Sequence, residues 1–262
     1  MRFLIRTLIA ASHGTDNSNG ALAISRLVTK VNEALSPADV REAFVDVQLP
    51  DVPTVLAQVS EATIVPLLLA TGYHVRQDIA DAAFEHGDAT ITPALGPDQR
   101  MVDVLVQRLA EAGHQAEDLV VLTVAGSSDA RAQAETNKVK AMLEATLGKQ
   151  VELAFLSAAE PKLKDLVPKL KFQNPRKRIV VSTYLLAPGY FSDLMQKVGA
   201  HVVTNPLLSP ELETPQQLID IVVERFTAGQ NRAGQTGCLD GLRGKPFEGC
   251  AAGCASACRQ PA

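Results

Sequence analysis

The sequence predicts an α/β protein built from two similar halves, each with a parallel sheet covered by helices. Short apolar segments alternate with longer amphipathic segments, which is the pattern of parallel strands joined by crossover helices. Hydrophobic residues make up 46% of the 262 residues, enough for a sizeable core. The pattern also repeats once after roughly 115 residues, which indicates an internal duplication.

Eight apolar segments have the length of strands, and each is followed by a segment with helical periodicity. Each half therefore has the order βαβαβαβα. In chain order, the paired strands and helices are predicted at residues 3–11 and 21–34, 40–46 and 51–59, 62–69 and 75–85, 90–93 and 100–112, 119–125 and 129–146, 150–155 and 162–170, 178–184 and 190–198, and 201–205 and 215–227.

The first of these strands begins like a secretion signal. Arg6 interrupts its apolar run, which falls below the ~7–15 apolar residues that an export signal needs. We therefore expect a buried strand and a cytoplasmic protein, in which structural disulfides are rare. The net charge of −4 argues against a general nucleic-acid binder, and no apolar run reaches the roughly 20 residues of a membrane span.

Motifs at the ends of the strands recur in the same order in the second half. The matching pairs are His13-Gly14-Thr15 with Ala125-Gly126-Ser127, residues 43–46 and Pro50 with residues 154–157 and Pro161, residues 68–74 with residues 185–191, and residues 93–97 with residues 206–210. The sequence thus predicts domains at residues 1–115 and 116–227, followed by a flexible, polar tail at residues 228–262.

Two histidines, His13 and His74, each follow an apolar strand at a turn that leads into a helix. Because the carboxyl ends of parallel strands meet at one edge of a sheet, the two imidazoles are expected to share one metal ion or one proton-transfer task. The second half keeps the glycines beside both positions but has Ala125 and Phe191 in place of the histidines. A side chain that one half lacks is not needed for its fold, so the pair indicates function. The alternative is a helix cap and a loop residue.

A carboxylate ends the second strand at the same edge. Asp46 could accept a proton or orient an imidazole there, and Ser157 stands in its place in the second half. The alternative is that Asp46 caps the following turn or helix.

All four cysteines lie in the tail, at Cys238, Cys250, Cys254 and Cys258. Clustered thiols in a reducing compartment favour metal binding over disulfides. Four thiolates suffice for an iron–sulfur cluster or a zinc site. Their spacing matches neither common zinc pairs nor common ferredoxin patterns, so a cluster, bound zinc, and an inert or disulfide-forming tail all stay open.

Taken together, the strand-end motifs resemble those of the small class II chelatases of tetrapyrrole synthesis, the sirohydrochlorin cobalto- and ferrochelatases. The resemblance is strong over residues 3–110 and weaker over residues 118–227. It rests on His13-Gly14-Thr15, on Phe44-Val45-Asp46 with Pro50 behind it, on Pro66 followed by Gly72-Tyr73-His74 and Asp78, and on Gly96-Pro97.

The resemblance implies two flavodoxin-like α/β/α halves that face each other across a cleft. It implies that His13 and His74 bind the incoming metal and that His13 also accepts a proton. Asp46 stands where the family has a Glu that contacts the substrate, and its side chain is one methylene shorter. The loop implied to contact the macrocycle comprises Leu69, Ala70, Thr71, Gly72, Tyr73 and His74.

The activity implied is that of a lyase that inserts Fe²⁺ into sirohydrochlorin to make siroheme, and Co²⁺ insertion for cobalamin is the nearest variant. The partners implied are sirohydrochlorin and a divalent metal, with helix N-termini after Gly14 and Gly126 holding the substrate carboxylates. We expect no nucleic-acid or membrane partner, and a monomer or a weak homodimer. A metal carrier or sensor, and a non-catalytic tetrapyrrole binder, are the alternatives.

Overall fold

The computed structural model describes residues 7–70 and 73–233, and only the backbone of residues 73–76, 232 and 233. Several sequence predictions therefore lie outside the described residues: the start of the first strand, Thr71 and Gly72, the side chains of Tyr73 and His74, and the tail cysteines Cys238, Cys250, Cys254 and Cys258.

The first half forms a four-stranded parallel sheet in the order β2-β1-β3-β4. β1 lies in the middle of the sheet, and its residues are buried on both faces, as expected for a strand covered by two helical layers. In chain order the elements are β1 (Thr7–Ser12), α1 (Ser18–Leu35), β2 (Val40–Phe44), α2 (Val52–Leu56), β3 (Ala62–Pro66), α3 (Tyr73–His86), β4 (Ala89–Ile91) and α4 (Gln99–Glu111).

The second half repeats this arrangement in the order β6-β5-β7-β8, again with all pairs parallel. Its elements are β5 (Leu119–Val124), α5 (Ala130–Leu147), β6 (Glu152–Phe155), α6 (Leu163–Gln173), β7 (Ile179–Tyr184), α7 (Tyr190–Gln196), β8 (Val202–Val203) and α8 (Gln216–Ala233). The predicted α/β class, the two parallel sheets and their duplication are confirmed.

Asn or Asp caps open four of the helices. Each cap side chain accepts a hydrogen bond from a backbone N–H of the first turn, which would otherwise lack a partner. The caps of α1, α2, α4 and α5 are Asn17, Asp51, Asp98 and Asp129.

The last helix of each half covers the sheet of the other half. α4 packs against β7 and α5, whereas α8 packs against β3, β4 and α1. Arg108 of α4 is buried and donates from Nε to the Pro206 carbonyl (3.1 Å) and from Nη2 to the Leu207 carbonyl (2.8 Å), both behind β8. The two halves consequently share one core, to which α1, α4, α5 and α8 all contribute.

The outer faces of the sheets have smaller cores of their own. Ile9 and Ala11 of β1 pack with α2 and α3, while Val121 and Val181 of the second sheet pack with α6 and with Met195 near the end of α7. Within the described residues, none of the helices is long and apolar enough to cross a membrane.

The last helix is longer than the sequence indicated. α8 continues to Ala233, past the predicted boundary at residue 227. The physical reason is packing: Gly229 lies against β3, and a Cβ there would be 2.5 Å from Cγ2 of Thr63 and 2.9 Å from Cγ2 of Thr92. A glycine that suggested a flexible linker instead allows the helix to approach the sheet closely.

Candidate functional site

A cavity of about 700 Å³ lies between the two halves, at the carboxyl ends of the strands. The loops after β1, β2 and β3 line it from the first half, and the loops after β5 and β7 line it from the second. This is the edge where open parallel sheets bind ligands, because the loops diverge there and helices begin.

The loop that carries His13 is attached to the neighbouring loop after β2. The backbone N–H of Asp46 donates to the His13 carbonyl (3.0 Å), and the N–H of Thr15 donates to Oε1 of Gln48 (2.8 Å). Gly14 has a φ of +90°, and a side chain there would collide with the Asp46 carbonyl. These contacts fix the backbone at and after His13, so its exposed imidazole is presented to the cavity from a defined position.

No described side chain forms a hydrogen bond with the His13 ring, whereas the three remaining described imidazoles all have partners. Nε2 of His86 lies 2.9 Å from the Val59 carbonyl, and Nδ1 of His201 accepts the N–H of Ile179 at 2.9 Å. Nε2 of His114 lies 3.2 Å from Nζ of Lys149. None of these three lines the cavity, so each has a structural role elsewhere.

Burial lowers the pKa of His114, and the positive charge of Lys149 lowers it further. Both effects favour the neutral form of this imidazole.

The loop predicted to contact the macrocycle reaches the cavity at its first residues. Leu69 and Ala70 line the wall, and the backbone enters α3 at Tyr73, so His74 lies in the first turn of that helix. The side chain of His74 is outside the described residues, and its place beside His13 stays a prediction.

Asp46 is exposed but is not among the residues that line the cavity. Its Oδ1 accepts the backbone N–H of Val47 at 2.7 Å, within its own loop. Val47 and Gln48 line the cavity instead. The proposed contact between Asp46 and substrate therefore stays a prediction.

Three cavity residues were not singled out as site residues on sequence. Asp16 follows His13 in the same loop, Gln48 holds that loop in place, and Tyr190 begins α7 in the part of the wall that the second half contributes. The Tyr190 side chain is 72% exposed, and its ring centroid lies 5.6 Å from that of Phe191. Gly189-Tyr190 matches Gly72-Tyr73 in the repeat, but a pair shared by both halves indicated only a role in the fold.

Few charges line the cavity. Among the described lining residues, the ionisable side chains are His13, Asp16, Tyr184 and Tyr190, with no Lys or Arg. Burial raises the pKa of Tyr184 far above its usual value, so this phenol stays neutral. The described walls are mainly aliphatic and aromatic, and they suit a large ligand with an apolar body.

At the helix starts predicted to hold substrate carboxylates, some of the backbone N–H groups already donate to side chains of the protein. In the first half, Asn17 caps the N–H of Gly20, and Oγ1 of Thr15 accepts the N–H of Asn17. In the second half, Ser127 and Asp129 make the corresponding bonds. The remaining N–H groups at these helix starts are the ones left for an anion.

Within the described part of the chain, no three or more His, Cys, Asp or Glu side chains come together in a metal-binding group. A lone exposed imidazole, with or without one further ligand, leaves most coordination positions of a divalent metal open. Such an arrangement fits a metal that is handed on more closely than a metal that is held permanently.

A sequence model of the CbiX family matches the chain twice, over residues 7–112 and 119–228. A search of curated proteins finds no match. Among solved structures, SirB from Bacillus subtilis with Fe³⁺ superimposes with a TM-score of 0.72 at 20% identity and covers 88% of this chain and 98% of that chain. SirB from Bacillus subtilis subspecies spizizenii, in complex with cobalt, gives a TM-score of 0.68 at 15% identity with the same coverage.

A third similar structure is CbiX of denitrifying bacteria, described as the terminal enzyme for biosynthesis of siroheme. It has a TM-score of 0.56 at 18% identity and covers 85% of this chain and 98% of that chain. At these identities the likeness to solved structures shows a common fold over nearly the full length of the similar proteins.

Proposed function

The chain belongs to the CbiX family, and from that premise we propose that it is a chelatase, a lyase that inserts a divalent metal into sirohydrochlorin. The single observation that carries the proposal is the imidazole of His13, which has no partner among the described side chains, in a large cavity between the two halves. A chelatase needs such a place, because a macrocycle and a metal must meet there with a proton acceptor.

The size and walls of the cavity support a tetrapyrrole as the ligand. A volume of about 700 Å³ lies within the usual ~300–1,000 Å³ of small-molecule sites. The flat apolar body of a macrocycle fits between the aliphatic loop after β3 and the aromatic start of α7. The solvent-open mouth leaves its carboxylates in contact with water, in keeping with the absence of Lys and Arg from the described wall.

His13 can first bind the metal and then accept a proton from the macrocycle. A neutral imidazole binds a first-row divalent metal, and two histidines would hold it weakly enough for release. Insertion removes two protons from the pyrrole nitrogens. The imidazole that gives up the metal is then free to accept one of these protons, because it is exposed and has no described partner, and the other proton passes to solvent.

We propose His74 as the second ligand, because it lies in the first turn of α3, shortly after Leu69 and Ala70, which line the cavity. Asp46 and the loop from Leu69 to His74 are proposed to contact the macrocycle at the rim.

For the metal, we propose Fe²⁺, which would make the product siroheme. Two of the similar structures support iron: SirB is described with Fe³⁺, and CbiX of denitrifying bacteria is described as an enzyme of siroheme synthesis. The second candidate is Co²⁺, because the other SirB structure contains cobalt. Imidazole binds both metals, so the described ligands do not discriminate between them.

A spectrophotometric assay tests the proposal. Purified protein is mixed anaerobically with sirohydrochlorin and Fe²⁺ or Co²⁺, and loss of the metal-free absorption band is followed. The wild type is expected to outpace the spontaneous reaction, and His13→Ala is expected to lose about 10²-fold or more of that rate. The matched control is His114→Gln, which changes an imidazole outside the cavity and is expected to retain the rate.

Two results contradict the proposal: a wild type no faster than the spontaneous reaction, or a fully active His13→Ala. Stoichiometric metal binding without faster insertion favours the metal carrier instead. Tetrapyrrole binding that survives replacement of both histidines, with no insertion, favours the non-catalytic binder.

A further inference from the structure

Asp16 lies three residues after His13 in the loop between β1 and α1. It is exposed, and it is the only carboxylate among the described residues that line the cavity. Even a fully extended chain separates the Cα atoms of residues three apart by at most about 11 Å, so both side chains can reach one ion. The cavity wall therefore presents an imidazole and a carboxylate from the same loop.

The ordinary structural explanation for an aspartate at this position does not apply. An Asp just before a helix usually caps it, but the cap of α1 is Asn17, whose Oδ1 accepts the N–H of Gly20 at 2.9 Å. Among the side chains that the structure describes, none forms a hydrogen bond or an ion pair with the Asp16 carboxylate. Asp16 is thus a charged group in the cavity wall with no described structural partner.

The second half shows that this position needs no carboxylate for folding. The N–H of Asn17 donates to Oγ1 of Thr15 at 3.1 Å, and the N–H of Asp129 donates to Oγ of Ser127 at the same distance. The two loops therefore have the same geometry and align Asp16 with Ser128. Like His13, Asp16 is a group that only the first half carries.

We propose that Asp16 is a ligand of the incoming divalent metal and binds it together with His13. This inference rests on the proposed function, because the metal is the substrate of that reaction. A carboxylate oxygen beside an imidazole nitrogen is a common donor pair for Fe²⁺ and Co²⁺ and leaves positions open for transfer to a macrocycle. The family pattern directs attention to Asp46 as the carboxylate, but Asp46 bonds within its own loop and does not line the cavity.

The test is a titration of the full-length protein with Co²⁺ in the absence of tetrapyrrole, followed by visible absorption and calorimetry. To separate cavity binding from other sites, binding is scored as the component lost in His13→Ala. Asp16→Asn keeps the shape of the side chain and is expected to raise the Kd of that component about tenfold or more. Asp16→Ser introduces the residue of the second half and is expected to do the same without lowering the Tm.

Two further variants serve for comparison. Asp220→Asn makes the same charge change on α8, outside the cavity, and is expected to leave Co²⁺ binding unchanged. Asp46→Asn is expected to affect this binding less than Asp16→Asn does. The assignment is overturned if Asp16→Asn binds Co²⁺ like the wild type, or if Asp46→Asn causes the larger loss.

The binding titration tests the assignment of Asp16 and the insertion assay tests the chelatase proposal, so either proposal can be refuted without the other. A wild type that binds Co²⁺ through Asp16 but does not accelerate insertion retains the ligand assignment and removes the chelatase proposal. A wild type that inserts metal normally while Asp16→Asn binds and inserts like it retains the chelatase proposal and removes Asp16.

Discussion

Gly14 sets the position of His13 for two separable reasons. Its φ of +90° lies in the region that L-residues avoid, and its missing side chain makes room for the Asp46 carbonyl. The second half has the same solution at Gly126, which faces the Ser157 carbonyl. A repeated glycine therefore supports the loop in both halves, while the residue before it differs: His13, the proposed metal ligand, in the first half and Ala125 in the second.

Replacement of this glycine separates the two effects. Gly87 has a φ of +86° with no atom near its missing Cβ, so Gly87→Ala is expected to cost only about 1–2 kcal/mol in the free energy of unfolding. Gly14→Ala has the same backbone cost plus a collision with the Asp46 carbonyl. Denaturant unfolding should show a larger loss, and the insertion rate should fall with it. Equal effects of the two substitutions would show that the close approach at Gly14 is unimportant.

At the scale of the elements, the loop before α7 packs directly against the loop before α1 and the first turn of α1, beside the cavity. A Cβ on Gly20 of α1 would collide with the Pro188 carbonyl, and a Cβ on Gly189 would lie 3.6 Å from Oγ1 of Thr15. This contact places Tyr190, the first residue of α7, in the part of the cavity wall that the second half contributes, close to the His13 loop. An aromatic side chain left 72% exposed in a cavity is available for stacking on a flat ligand.

Tyr190→Ala is accordingly expected to raise the KM for sirohydrochlorin about tenfold and to leave Co²⁺ binding unchanged, because it removes a stacking surface and no ligand. Tyr190→Phe should retain the wild-type KM. Phe172 on α6 is 88% exposed but outside the cavity, so Phe172→Ala provides the matched control. A KM that is unchanged in Tyr190→Ala would remove the stacking role from this side chain.

At the scale of the whole molecule, the exchange of α4 and α8 makes the halves interdependent. Besides Arg108, ion pairs join the two helices. Nη2 of Arg100, at the start of α4, lies 2.8 Å from Oδ2 of Asp98, the cap of the same helix, and 2.8 Å from Oε2 of Glu224 in α8. The two halves that line the cavity thus share one core. Helices α4 and α8 each pack on the sheet of the other half and so fix the two cavity walls relative to each other.

A fragment of residues 1–115 tests this interdependence. It keeps its sheet but lacks α8, which covers β3 and β4, and its α4 has no partner sheet. We expect it to aggregate or to form a dimer that exchanges α4, and to become a soluble complex when residues 116–262 are co-expressed. Light scattering with thermal unfolding measures this. A monomer that unfolds cooperatively on its own would contradict the account.

The sequence predicted much of this arrangement because periodicity and repeats report local structure. All eight strands and eight helices lie close to their predicted places, and the loops of His13, Leu69 and Ala70 do line the cavity. The exchange of α4 and α8 was not predictable, because both helices have the same apolar pattern whichever sheet they cover. Asp16 was missed because two cap-forming residues, Asp16 and Asn17, stand side by side, and only the structure shows which one caps α1.

The most direct test of the central claim, one metal-handling site located in the first half, is anomalous diffraction at the cobalt edge. Crystals of the full chain would be grown with Co²⁺ and no tetrapyrrole. The account predicts one peak in the cavity, within bonding distance of the His13 imidazole, and none beside Ala125 in the second half. A cavity without cobalt, or a peak in the second half with His13 unliganded, would contradict it.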